Sequence, residues 1–148
     1  MPSAQPNIAF EVLSELARDP VWFVRLRAVV SMGKLSHPQV IPALLRGLTD
    51  SNRLVRLRAA ESLVRLNTGL AAIFEQVVAT RDRYGVHAYL TAVENANLRE
   101  QLKGELQASE EISGQRKVYL ERVLQSGALL AEERNDSGVV PAKTGSLP

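Results

Sequence analysis

A repeat of 31 residues constrains the fold more than any other feature of this sequence. The segments Asp19–Leu35 and Asp50–Leu66 are identical at eight of 17 positions with a constant offset, whereas chance would give about one or two. The identical pairs are Asp19/Asp50, Val24/Val55, Arg25/Arg56, Leu26/Leu57, Arg27/Arg58, Ala28/Ala59, Ser31/Ser62 and Leu35/Leu66. A constant offset indicates one structural unit used twice, and such units bury their apolar faces by stacking.

Each unit is predicted to consist of two helices, because apolar residues recur three or four positions apart. The four stripes are Ile8, Val12 and Leu16; Val24, Ala28, Met32 and Leu35; Ile41, Leu44, Leu45 and Leu48; and Val55, Ala59, Leu63 and Leu66. Asp19-Pro20 and Asp50-Ser51-Asn52 are helix start signals. Ser36-His37-Pro38 and Asn67-Thr68-Gly69 interrupt the pattern. No alternating strand pattern occurs, so the sequence predicts an all-α fold.

The pattern continues more loosely after residue 67. Val86 lies 31 residues after Val55, but His87 follows it where the first two units have arginine, so the third unit is degenerate. We expect one helical repeat domain over residues 1–134 and a disordered tail over 135–148, which is rich in Gly, Pro and Ser. The units are expected at about 7–35, 36–67 and 68–97, followed by C-terminal helices over 98–134.

The composition argues against most kinds of enzyme and cofactor site. The chain has no cysteine, which excludes disulfides, thiol chemistry and thiolate zinc sites. Its two histidines, His37 and His87, have no acidic partners at helical spacing. The sequence contains no glycine-rich phosphate loop, nucleophile elbow or His-Glu-x-x-His motif. We therefore expect no catalytic activity, no metal and no cofactor.

The sequence also bears on location. The first 15 residues lack the basic and apolar regions of a signal peptide, and no apolar run approaches the roughly 20 residues of a membrane span. We expect a cytoplasmic chain, or the cytosolic portion of a larger parent protein, that does not itself insert into a membrane.

The run from Leu44 to Leu66 resembles the HEAT-repeat family. The matching pattern is Leu44-Leu45-x-x-Leu48-x-Asp50, followed by Val55-Arg56-x-x-Ala59-x-x-x-Leu63-x-x-Leu66. The first unit repeats the match from Leu16 to Leu35. The subtype it resembles is the bacterial one also found in phycobilin-lyase-like proteins. The resemblance implies a right-handed α-α solenoid, an armadillo-like superhelix that binds other macromolecules.

The resemblance also implies a ladder between neighbouring repeats, formed by the turn aspartate and the arginine of the Val-Arg pair. The ladder residues would be Asp19, Arg25, Asp50 and Arg56. The third unit has His87 in place of the arginine and is expected to dock by packing alone.

A basic ridge is predicted on the second helix of each unit. Arg27 and Lys34 correspond to Arg58 and Arg65, and each pair is spaced i, i+7 on a face away from the apolar stripe. Glu61 would lie between the pairs, and Tyr89 would take the place of Arg58 in the third unit. Such a ridge suits an acidic partner or a phosphate backbone. The alternative is an ordinary solvated face of mixed charges.

The first unit is more apolar than its copy, although the free end of a solenoid should be the more polar. Trp22 stands where the second unit has Arg53, and Val29 and Val30 stand where it has Ala60 and Glu61. We expect an edge patch comprising Trp22, Phe23, Val29 and Val30. It would be covered by earlier residues of a longer parent, by a partner or by self-association; base stacking by the two aromatic residues is an open alternative.

These observations favour a non-catalytic protein–protein interaction scaffold. Its partner would be a protein, and an acidic protein if the basic ridge is the binding surface. Nucleic-acid-backbone binding through the basic ridge is an alternative. A bilin lyase-like role is a further alternative that rests on the family resemblance only, and without cysteine the chain could not carry bilin on a thiol.

Overall fold

The computed structural model describes residues 5–35, 37–66 and 69–130, where all regular secondary structure is helical. The α-helices of these ranges are α1 (Gln5–Leu16), α2 (Trp22–Leu35), α3 (Ile41–Gly47), α4 (Arg53–Leu66), α5 (Leu70–Ala79), α6 (Arg83–Asn95), α7 (Arg99–Ala108) and α8 (Gly114–Ser126). A short 3-10 turn, Pro38–Val40, precedes α3. The predicted all-α architecture is confirmed. The predicted tail, residues 135–148, lies outside the described ranges.

The helices stack in layers, as the repeat predicts. The most extensive contacts join α2 to α4 and α4 to α6, and α1, α3 and α5 each pack against the second helix of their own unit. Val55 and Val86 are buried at equivalent places in the second and third layers. Val24, at the equivalent place in the first layer, is only half-buried. The first layer therefore presents toward solvent a face that the later layers bury.

Helices α2 and α4 approach each other closely at Gly33. The Ser62 hydroxyl donates a hydrogen bond to the backbone oxygen of Val29 over 2.9 Å. A Cβ atom added at Gly33 would lie 2.8 Å from the Ser62 Cβ and 3.2 Å from its Cα. Contact at this distance leaves no room for a side chain, so the absence of a Cβ at Gly33 sets the distance between the two layers.

Tyr89 lies in the core of the third layer. Its side chain is fully buried, its ring stacks on Phe74 with centroids 6.1 Å apart, and its hydroxyl donates a hydrogen bond to the backbone oxygen of Leu70 over 3.1 Å. Burial raises the pKa of Tyr89 above its ordinary value. The expectation that Tyr89 belongs to the exposed basic ridge is therefore wrong. At the equivalent position in the second layer, the long side chain of Arg58 extends to water, whereas the largely apolar tyrosine ring is stabilised more by packing into the core.

Polar contacts attach the C-terminal helices to the third layer. Glu105 of α7 accepts a hydrogen bond from the Ala71 N–H over 3.1 Å and so caps α5 from another element. Arg116 of α8 pairs with Glu75 of α5 at 3.1 Å. The apolar contacts beneath these pairs come from buried Leu102, Leu106, Leu120, Val123 and Leu124.

None of the helices in the described part of the chain has both the length and the apolar character that a membrane span requires.

Candidate interaction surfaces

An ion pair joins the first layer to the second. Arg25 donates from Nε and Nη2 to the two carboxylate oxygens of Asp50, over 2.7 and 2.9 Å. Its Nη1 donates to the backbone oxygens of Asp19 and Pro20, over 2.9 and 3.1 Å. The side chains of Arg25 and Asp50 are only 16% and 11% exposed. A bidentate pair this sheltered is worth more than a surface ion pair, so Arg25 and Asp50 act mainly in holding the layers together.

The environment of Asp50 favours its ionised form. Desolvation raises the pKa of its carboxyl, but hydrogen bonds from Arg25 and the Asn52 N–H, with attraction to Arg25 and Arg56, outweigh it. The pKa of Asp50 is therefore held below its ordinary value. The Asp19 carboxylate, the equivalent group in the first layer, accepts a hydrogen bond from the Val21 N–H over 2.8 Å. This bond organises the turn before α2.

Arg56 does not form the second ion pair that the resemblance implied. The residue 31 positions after Asp50 is Arg81, and none of the ion pairs seen within the described residues involves Arg56. Its Nη1 donates to the backbone oxygens of Asp50 and Ser51, over 2.8 and 3.3 Å, and its guanidinium stacks on the Tyr84 ring at 5.1 Å. The ladder thus has one rung formed by side chains where two were expected.

The charged members of the basic ridge lie on the outside of α2 and α4. Arg27, Lys34 and Arg65 are exposed. Arg58 pairs with Glu61 at 3.3 Å, and their side chains are 40% and 42% exposed. This pairing reduces the positive charge in the middle of the ridge. A binding role for these residues stays a prediction.

An apolar face is exposed on the first layer. The Ile8, Val12 and Leu16 stripe of α1 points away from the core, with Ile8 58% and Val12 51% exposed. Trp22 and Phe23, at the start of α2, are also exposed, and their rings meet edge to face with centroids 5.8 Å apart. We call these five residues the first-layer face.

Two members of the predicted edge patch lie elsewhere. Val29 is buried, because it points from α2 toward the second layer, where a Cβ added at Gly47 would lie 3.3 Å from its Cγ1. The expectation that Val29 is an exposed edge residue is therefore wrong. Val30 is half-buried. Sequence reasoning placed the patch on α2 and overlooked that the α1 stripe forms most of it.

The repeat explains why the α1 stripe is uncovered. At the 31-residue offset, Val12 and Leu16 correspond to Ala43 and Gly47 of α3, which are both buried. Gly47 lies close to Val29 of the preceding layer. Val12 and Leu16 therefore occupy positions that face a preceding layer, and no described residue covers them. The first layer is built like an internal layer of a longer stack.

No group of three or more His, Asp or Glu residues able to hold a metal ion occurs within residues 5–35, 37–66 and 69–130. His37, one of the two histidines, accepts a hydrogen bond from the Gln39 N–H over 3.0 Å and caps the 3-10 turn.

Comparison with known proteins agrees with this architecture. The family model for HEAT repeats matches residues 9–88, which run from α1 into α6 and make up more than half of the chain. No curated protein and no solved structure matches the chain. The match is to HEAT repeats in general, and the bacterial phycobilin-lyase-like subtype stays a prediction. With its stacked helical hairpins and this match, the chain belongs to the HEAT-repeat family.

Proposed function

We propose that the chain is a non-catalytic protein–protein interaction scaffold that binds a partner on its first-layer face. The observation that supports this most directly is the exposure of Ile8, Val12 and Leu16 at helical spacing, together with that of Trp22 and Phe23 in the same layer. Isolated apolar residues are common on protein surfaces, but a contiguous apolar stripe is typical of a binding site. HEAT-type stacks generally serve recognition through such rigid helical surfaces.

The occupant that best fits this face is an α-helix with its own apolar stripe. The equivalent positions in the second layer, Ala43 and Gly47, are buried where α3 meets α2 of the layer before it. A helix from another polypeptide would pack on Val12 and Leu16 as α2 packs on Ala43 and Gly47. Helix-on-helix packing of this kind brings the two axes to within about 8–10 Å.

The size of the face suits the centre of such an interface. The exposed parts of the five side chains amount to an area on the order of 500 Å², typical of a functional apolar patch. A stable interface buries about 800 Å² per partner, and its rim is polar. Glu11 and Glu15 are exposed on the same helix and would contribute to that rim.

Photo-crosslinking tests this proposal in the cells that produce the protein. Benzoylphenylalanine placed at Val12 is expected to form an adduct with a protein segment whose apolar residues recur every three or four positions. Mass spectrometry identifies the segment. The matched control places the same group at Gln101, which is exposed on α7 and is expected to give no such adduct.

The same experiment separates the alternatives. Nucleic-acid-backbone binding through Arg27, Lys34 and Arg65 predicts adducts that nuclease removes, and binding to labelled DNA or RNA that weakens steeply as salt rises. Equal adduct yields at positions 12 and 101, or adducts to nucleic acid alone, would contradict the proposal.

A peptide with the sequence of the crosslinked segment then provides a quantitative check. We expect Val12→Lys to weaken its binding at least about tenfold, because a charge would face the apolar stripe. Gln101→Lys should leave binding unchanged.

A further inference from the structure

The second layer holds an arginine in the same way as the first but offers it no carboxylate. Nη1 of Arg25 donates to the backbone oxygens of Asp19 and Pro20, and Nη1 of Arg56 donates to those of Asp50 and Ser51. These acceptors are equivalent at the 31-residue offset. The other edge of Arg25, formed by Nε and Nη2, donates hydrogen bonds to the carboxylate of Asp50. On Arg56 that edge has no hydrogen-bond acceptor within the described ranges.

Arg56 has no carboxylate partner of this kind because the position equivalent to Asp50 in the next layer, position 81, is not an aspartate. Position 81 carries Arg81, with a φ of +59°. Asp82 follows it, but its side chain accepts a hydrogen bond from the Gly85 N–H over 2.9 Å and caps α6. The turn is also one residue shorter than its counterpart, since α4 begins at Arg53 and α6 at Arg83.

Further groups that favour an anion lie beside Arg56. The Tyr84 ring is stacked by the guanidinium of Arg56 at 5.1 Å and by that of Arg83 at 5.0 Å. Tyr84 is exposed, so the stack is reachable from solvent. The first turns of α4 and α6 add the positive ends of two helix dipoles. We call Arg56 and Tyr84 the open rung.

We propose that the open rung binds a carboxylate from an aspartate or glutamate of a partner protein, which supplies the group that position 81 lacks. An arginine guanidinium donates paired hydrogen bonds to carboxylates and to phosphates alike. The carboxylate is favoured here because the equivalent fork on Arg25 holds one within the same chain. The site is separate from the first-layer face and does not depend on what covers that face.

A fluorescein-labelled hexaglutamate peptide, followed by anisotropy, tests the proposal on the full chain. Arg56→Gln is expected to weaken binding about tenfold, because the planar fork is lost. The matched control is Arg122→Gln on α8, an exposed arginine, which should alter binding by less than about twofold. Tighter binding of a single-stranded RNA of similar charge, with the same dependence on Arg56, would overturn the carboxylate assignment.

The carboxylate could also come from the chain's own residues Glu132, Glu133 and Asp136. A variant with these three changed to their amides removes that source. If peptide binding then tightens and still requires Arg56, the site accepts carboxylates from either source. If Arg56→Gln leaves peptide binding unchanged in both backgrounds, the open rung is not a carboxylate site.

Arg81→Asp provides a second test that does not rely on removing Arg56. An aspartate tolerates positive φ better than arginine and would complete the rung from within. We expect this variant to bind the peptide about tenfold more weakly. In an Arg56→Gln background it should weaken peptide binding no further. Further weakening there, or peptide binding unchanged by Arg81→Asp, would contradict the proposal.

Discussion

Replacing Gly33 with alanine is expected to lower the free energy of unfolding by about 2 kcal/mol and the melting temperature by about 6 °C. The new Cβ would lie 2.8 Å from the Ser62 Cβ and 3.2 Å from its Cα. Relieving this contact requires α2 and α4 to separate, which disturbs the most extensive helix–helix contact in the stack. The overpacking cost is about 3 kcal/mol, and the better helix propensity of alanine offsets about 1 kcal/mol of it.

Gly104→Ala is the matched control, because Gly104 is a helical glycine of α7 with no atom within 4 Å of an added Cβ. We expect it to stabilise the chain by about 0.5–1 kcal/mol. Urea unfolding of the three proteins measures both changes. If the two substitutions change stability in the same direction, the close approach at Gly33 does not limit the packing of the layers.

The second large effect is expected from the rung between the first two layers. Arg25→Ala should lower the free energy of unfolding by about 2–3 kcal/mol, between the values typical of exposed and of fully buried ion pairs. It removes two bonds to Asp50 and two to backbone oxygens. Arg58→Ala is the control, and because its pair with Glu61 is about 40% exposed it should cost less than about 0.5 kcal/mol.

A double-mutant cycle isolates the rung itself. Asp50→Asn keeps the acceptor for the Asn52 N–H but loses the charge. We expect the double variant with Arg25→Ala to be less destabilised than the sum of the single variants, by about 1–2 kcal/mol. Additive effects would show that the two layers are held together by packing alone.

The pH dependence gives an independent check on the same rung. Because the folded chain holds the pKa of Asp50 below its ordinary value, the contribution of the rung is complete above the unfolded pKa of about 4. It is lost as the pH falls through the lower folded value. The stability difference between wild type and Arg25→Ala should therefore be constant near neutral pH and shrink below about pH 4. A difference that stays constant down to pH 2 would contradict this.

The layered fold could be predicted from the sequence because the same 31-residue pattern of apolar and turn residues occurs twice. The 31-residue offset places Val55 and Val86 at equivalent buried positions, and Asn52 of the second start signal accepts hydrogen bonds from the first turn of α4. Arg25 and Asp50 were likewise readable as candidates for the same rung. The sequence also argues against a second rung of this kind, since Arg81 stands 31 residues after Asp50 in the turn of the third unit.

The parts that could not be predicted depend on neighbours that a helical period does not reveal. The Ile8, Val12 and Leu16 stripe has the same spacing as the buried stripes, and it is exposed because no described residue packs over it. Tyr89 occupies the same register as Arg58, yet its ring turns inward onto Phe74. Spacing determines which residues share a face, whereas burial also requires a surface for that face to pack against.

The binding of a dye that fluoresces on apolar surfaces tests the central claim most directly, because it asks whether the first-layer face is open and apolar in solution. A double variant with Val12→Lys and Leu16→Lys should lose about half of the dye signal of the wild type, with its helical content and melting temperature unchanged. Gln76→Lys with Gln101→Lys, at exposed polar positions, should lose none. A wild-type chain that binds no dye, or a Val12/Leu16 variant with the full signal, would contradict the account.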